Sequence, residues 1–256
     1  MIFTVAGKEL RALFSSPLAW VVLAFLQVSM AWILVTRLDA YLTVQTQLMQ
    51  MDTPPGVTEI IIAPIFGAAA VILIMAVPLL SMRLIAEERR NQTMALLLSS
   101  PLSMTQIVIG KFAGLMGFLL LLVLITLALP LTLAANTSLD YGLLASLALA
   151  LLLLAASFAA VSLYTSCLTA QPIAAALLAF GLLLAMLFMG ETAGDSLRGR
   201  GWQVPAALAQ VLSPLRNFEP LGKGMIDSWA IACPLLLTAA FLVLAVRRLD
   251  GRRLRG

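Results

Sequence analysis

Apolar residues in this chain do not alternate with polar ones; they come in long uninterrupted runs, separated by shorter polar or mixed segments. Six runs approach or reach the roughly 20 apolar residues that a helix needs to cross a bilayer. They are Pro17–Val35, Ile60–Met82, Phe112–Leu133, Leu143–Leu168, Pro172–Met189 and Trp229–Val246, and none contains Asp, Glu, Lys or Arg. A different pattern precedes the first run. Over Ile2–Phe14, the positions of Ile2, Val5, Ala6, Leu10, Leu13 and Phe14 share one helical face, with Lys8, Glu9 and Arg11 elsewhere. This spacing predicts an interfacial amphipathic helix over residues 1–16, ended by Ser15-Ser16-Pro17. The expected fold is all-α: one polytopic membrane domain, residues 1–256, with six transmembrane helices and no internal repeat.

Composition agrees. Of the residues, 62% are hydrophobic and only 11% charged, against about 45–50% and about 25% in a soluble domain. A soluble fold of this length would lack the polar surface to cover itself. The bilayer supplies the missing solvent.

Placement of the basic residues predicts topology. With the N-terminus inside, eleven of the 16 Lys and Arg residues fall in inner segments, among them Lys8, Arg11, Arg83, Arg89, Arg90, Lys111, Arg247 and Arg248. Arg37, Arg198, Arg200, Arg216 and Lys223 fall outside, amid eight acidic residues. Both termini are therefore expected in the cytoplasm. The net charge of +4 follows topology and gives no reason to invoke nucleic acid. The first run continues through Val35, too far for a cleaved signal peptide. Two further segments stand out. The inner loop 83–111 begins with charges and turns weakly amphipathic; the outer segment 190–228 mixes Leu208, Leu212, Leu215, Phe218 and Leu221 with charges, as short half-buried helices would.

Several chemistries are excluded. Histidine is absent, removing His-based metal sites and His-dependent nucleophiles. Cys167 and Cys233 are expected near opposite faces, too far apart for a disulfide. Uncharged spans offer a coupling proton nowhere to bind. A P-loop needs G-x-x-x-x-G-K-[ST]; the pairs Gly7-Lys8, Gly110-Lys111 and Gly222-Lys223 are followed by Glu9, Phe112 and Gly224. Sodium coupling through backbone and hydroxyl oxygens stays open, though no pair of broken midplane helices points to it. An unpowered channel stays open too, though no filter-like segment or ring of charge suggests one. What remains is a membrane body moved from outside, with no cofactor of its own.

The loop after the second run carries a family resemblance. Pro78-Leu79-Leu80-Ser81-Met82-Arg83-Leu84-Ile85-Ala86-Glu87-Glu88-Arg89-Arg90, continuing through Asn91-Gln92-Thr93-Met94-Ala95-Leu96-Leu97-Leu98-Ser99-Ser100-Pro101-Leu102, resembles the central motif of type-2 ABC exporter permeases. Lys8-Glu9-Leu10-Arg11-Ala12-Leu13-Phe14 looks like the family's opening helix. Leu212-Ser213-Pro214, Asn217-Phe218-Glu219 and Gly224-Met225-Ile226-Asp227 are similar to the gliding-motility subgroup. Gln92 stands where the family often has Gly, Ala95 where it often has Glu, and Asn217 where it often has His.

The resemblance implies a non-catalytic permease subunit in a bacterial inner membrane. It would pair with a second copy or a homologous permease, and a cytoplasmic ABC ATPase dimer would hold the ATP and Mg. A coupling helix starting near Glu87 would meet that motor, with Glu87, Glu88, Arg89, Arg90, Met94 and Leu97 as candidate contacts. Carboxylates at its start would suit the helix dipole. An alternative implication is an anchor that transmits ATPase-driven motion to periplasmic partners and moves no substrate. Gly110, Gly114 and Gly117 open the third run, the first two in GxxxG spacing, and are expected to admit a closely packed helix from this chain or its partner.

Overall fold

The computed structural model describes residues 2–48, 56–92, 103–135, 139–189, 211–225 and 227–253. Every regular element among them is helical. Helix α1 (Ile2–Ser15) stops one residue before α2 (Pro17–Leu48), whose proline fits a first helical turn because its missing N–H would have no partner there. A π-helical turn, Thr58–Ile62, leads into α3 (Ala63–Ser81), followed at once by α4 (Arg83–Arg90). Then come α5 (Met104–Leu131), a 3-10 turn (Thr132–Ala135), α6 (Tyr141–Leu168), α7 (Pro172–Phe188), α8 (Pro214–Gly222) and α9 (Ser228–Arg253).

Five of the expected spans, carried by α2, α3 with its flanking turns, α5, α6 and α9, are long and apolar enough to cross a membrane. The expected span Pro172–Met189 is the shorter α7, 17 residues, about 26 Å at 1.5 Å per residue. Helix α2 runs past the predicted edge at Val35 as far as Leu48. Polarity alone does not stop a helix, and Thr36-Arg37-Leu38 contains no breaker.

The helices run up and down, so α1, α4 and the α6–α7 turn share one end of the bundle, called here the α4 end, and α8 caps the other. Helix α6 is the centre: 72% of its most apolar stretch is buried, against 17% for α2. It packs against α3, α5, α7, α8 and α9. Its ends and middle are fixed by hydroxyls, which in an apolar surrounding need partners. Asp140 caps it, with Oδ1 accepting from the Gly142 and Leu143 amides, while its own amide donates to Thr58 Oγ1. Ser146 Oγ donates to Leu221 O of α8 at 2.6 Å, and Ser157 Oγ to Pro234 O of α9 at 3.3 Å. The amphipathic α8 seats Phe218 and Leu221 on this core. Cys167 and Cys233 are both buried free thiols.

Candidate functional site

The charged residues of the α4 end are drawn together around one lysine. Helix α5 begins with a capping box, Ser103 Oγ accepting from the Gln106 amide and Gln106 Oε1 from the Ser103 amide. Two turns on, Lys111 is only 1% exposed. Its Nζ donates to Glu9 Oε1 of α1 at 2.7 Å and to Glu88 Oε1 of α4 at 2.8 Å. Lys8 approaches the same Glu88 oxygen at 3.9 Å. Lys111, Glu9 and Glu88 are thus drawn together with little exposure while Lys8 approaches from the solvent side, so the two carboxylates face two ammonium groups. Uncompensated charge away from water is expensive.

Glycines make the approach of α1 feasible. A Cβ at Gly110 would lie 2.8 Å from Val5 Cβ, and one at Gly114 would lie 2.7 Å from Glu9 Cβ and 2.9 Å from Ala6 O. At Gly117 the nearest atom is Leu10 Cδ1 at 3.4 Å. The stripe therefore holds this chain's own α1. Phe14 closes the far end of the contact on Phe118, and its carbonyl accepts from Trp20 Nε1 at 2.7 Å.

This geometry corrects the expectation that Glu9 lies with Lys8 and Arg11 on the polar face. Glu9 is buried; Lys8 and Arg11 are exposed. The spacing held the clue, since Glu9 follows Ile2, Val5 and Ala6 by seven, four and three residues, on the apolar stripe.

Helix α4 is gripped from its other side by α6. The amides of Ile85 and Ala86 donate to Ser166 Oγ at 3.2 and 3.1 Å, and that hydroxyl donates to Met82 O at 3.2 Å. One side chain thereby serves the joint between α3 and α4. Arg89 Nη1 donates to Cys167 O at 2.8 Å and Thr169 O at 3.2 Å, capping carbonyls left open at the end of α6. Leu84, Ile85 and Ala86 of α4 are buried.

A helix begins at Arg83, not near Glu87, and residues 93–102, over which the expected coupling helix would continue, lie outside the described residues. Met82 retains helical dihedrals, so the helix resumes without a loop. Glu87 and Glu88 sit toward its C-terminal half, where the dipole gives them no support; Arg89 and Arg90 occupy the last turn, the favourable end for cations. Of the six candidate contacts, Glu88 and Arg89 are engaged within the bundle, Glu87 is half-buried and Arg90 exposed. Met94 and Leu97 lie outside the described residues.

Just past α4 and its C-cap Asn91 stands Gln92, whose φ of 57° is left-handed, a conformation glycine adopts without cost. Gln92→Gly is accordingly expected to stabilise the fold by about 1 kcal/mol, read as a raised thermal midpoint in detergent.

Between α1, the start of α2, the end of α3 and α4 lies a cleft of about 420 Å³. Lys8, Arg83 and Lys111 line it together with Glu9, Glu87 and Glu88. Among the described residues, no group of three or more Cys, Asp and Glu side chains converges as a metal site would need.

Comparison with known proteins gives one finding. A family model described as ABC-2 family transporter protein matches residues 3–250, almost the entire chain. No curated protein matches it.

Proposed function

Because the chain belongs to the ABC-2 transporter family, and is the multi-pass permease component of an ABC transporter, we propose that separate cytoplasmic ATPase subunits drive it through α4 and the loop that follows. The observation that carries this reading is the double attachment of α4. Lys111 ties Glu88 to α1 and α5, and Ser166 and Arg89 tie α4 to the central α6. A push on the loop beyond Gln92 would reach three helices through buried polar contacts, whereas exposed contacts would yield first.

Orientation follows from the charges. The basic α4 end, with both termini, faces the cytoplasm, and the membrane is a bacterial inner membrane. ATP and Mg are held by the ATPase pair. The permease works as a pair with a second copy or a homologous permease. Exposed Trp20, Phe25, Val28 and Trp32 of α2, with Leu177 and Leu178 of α7, offer an apolar face that such a partner or lipid covers. The segments similar to gliding-motility permeases support that subgroup, Ser213-Pro214 and Asn217-Phe218 forming the buried start of α8. A mechanical role is the second reading. A cleft of about 600 Å³ at the α8 end, lined by Glu59, Asp140 and Lys223, gives a periplasmic partner polar groups to engage.

The test uses the exposed end of α4. Both native thiols are buried, so Arg90→Cys supplies an accessible one. In the complex with its co-purifying ATPase, a bifunctional maleimide should join this cysteine to the ATPase, with a yield that changes on adding ATP. Labelling of Arg90→Cys only from outside intact cells, or no cross-link to the ATPase, would refute the reading.

A further inference from the structure

The cleft at the α4 end does not stand alone. Leu79 lines both it and an apolar groove of about 490 Å³ between α2, α3 and α7. The groove is walled by Val21, Phe25, Val71, Met75, Phe180 and Leu184. Val21, Phe25, Val71 and Met75 are more than half exposed, so it opens sideways to the bilayer. From Leu79 back to Val71 the helix rises about 12 Å, which suits an extended hydrocarbon chain. Polar cleft and apolar groove adjoin at Leu79 and together offer an amphipathic slot.

Charge identifies the head that fits. Lys8, Lys111, Glu9 and Glu88 already satisfy one another. Arg83 and Glu87 do not: among the described residues neither side chain has a hydrogen-bond or ion-pair partner, although both line the cleft. They stand one turn apart on α4, about 5–6 Å between Cβ atoms. A cation and an anion so placed match a zwitterion, with phosphate at Arg83, nearer the membrane helix, and ammonium at Glu87, one turn further out. An anionic lipid would set uncompensated negative charge beside Glu87 and Glu88. A quaternary ammonium is recognised by aromatic rings, and among the described residues no aromatic lines the cleft.

We propose that this slot binds one phospholipid with a primary-amine zwitterionic head, as in phosphatidylethanolamine. Arg83 holds the phosphate, Glu87 the ammonium, and an acyl chain lies along α3 past Leu79. The site goes beyond the ATPase-driven role, and its test needs no ATPase.

Full-length chain in detergent, given equal amounts of phosphatidylethanolamine, phosphatidylglycerol and phosphatidylcholine, should retain one phosphatidylethanolamine in native mass spectrometry, several-fold over the others. Arg83→Gln and Glu87→Gln should each weaken retention by about tenfold, as loss of a charge-assisted contact predicts. Val71→Trp should block the groove and reduce retention with the head contacts intact. Arg83 and Val71 are exposed, so these variants leave the fold in place, to be checked by an unchanged thermal midpoint. Retention of phosphatidylglycerol equal to or above phosphatidylethanolamine would overturn the proposal. So would retention unchanged in Arg83→Gln, or insensitive to Val71→Trp because a second copy fills the groove.

Discussion

Lys111→Met is expected to destabilise the protein by about 3–5 kcal/mol, the range for removing one partner from a buried ion-paired cluster. Glu9 and Glu88 each give Lys111 an oxygen within 2.8 Å, and neither side chain is more than 15% exposed. Without the ammonium, two carboxylates would face each other where water is scarce. Thermal unfolding in detergent at neutral pH should show a large downward shift. The triple variant Lys111→Met, Glu9→Gln, Glu88→Gln should recover most of it, because removing the three little-exposed charges also removes their desolvation cost, and the remaining Lys8 is exposed. If Lys111→Met unfolds with the parent, the cluster contributes nothing to stability.

Gly114→Ala tests the same junction by shape. The added Cβ would meet Ala6 O at 2.9 Å and Glu9 Cβ at 2.7 Å, atoms of the α1 backbone and of a side chain held in place by Lys111. Helix propensity favours alanine by about 1 kcal/mol, but overpacking against fixed atoms costs about 1–3 kcal/mol. With α1 displaced, its pairing with Lys111 is lost as well, so the net change should be destabilising. Gly67 and Gly181 are the controls, since a Cβ at either has no neighbour within 4 Å. Alanine there should be neutral or stabilising. Faster trypsin cleavage after Lys8 and Arg11 in Gly114→Ala, and parental rates in Gly181→Ala, would place the effect at α1. Equal rates in both would contradict it.

The spans were legible because the bilayer imposes a simple rule on sequence. Apolar length marks a helix whatever its neighbours, so Leu143–Leu168 was found within two residues of α6. The α1–α2 break was equally plain, since Pro17 fixes it locally. The start of α4 was not. It depends on Ser166, some 80 positions away in the chain, supplying the bonds that the joint after Ser81 needs. The partners of Arg89 are hidden in the sequence for the same reason. An arginine in a charged loop reads as surface, and only the folded chain brings the Cys167 carbonyl within 2.8 Å. Gln92 lay between these cases. The family's frequent glycine hinted at a special backbone position there, and φ of 57° gives the reason.

The central place of α6 bears on how the chain is made. Its hydroxyl at Ser157 meets a carbonyl of α9, which leaves the ribosome some 77 residues later. Until then α6 must wait with that flank toward lipid, leaning on α3 and α5, which precede it. A translation product stopped before Ser228 would keep this seam open, and a membrane protease that recognises unclosed helix bundles should clear it quickly. Helix α9, emerging after α6, is the one that closes this seam.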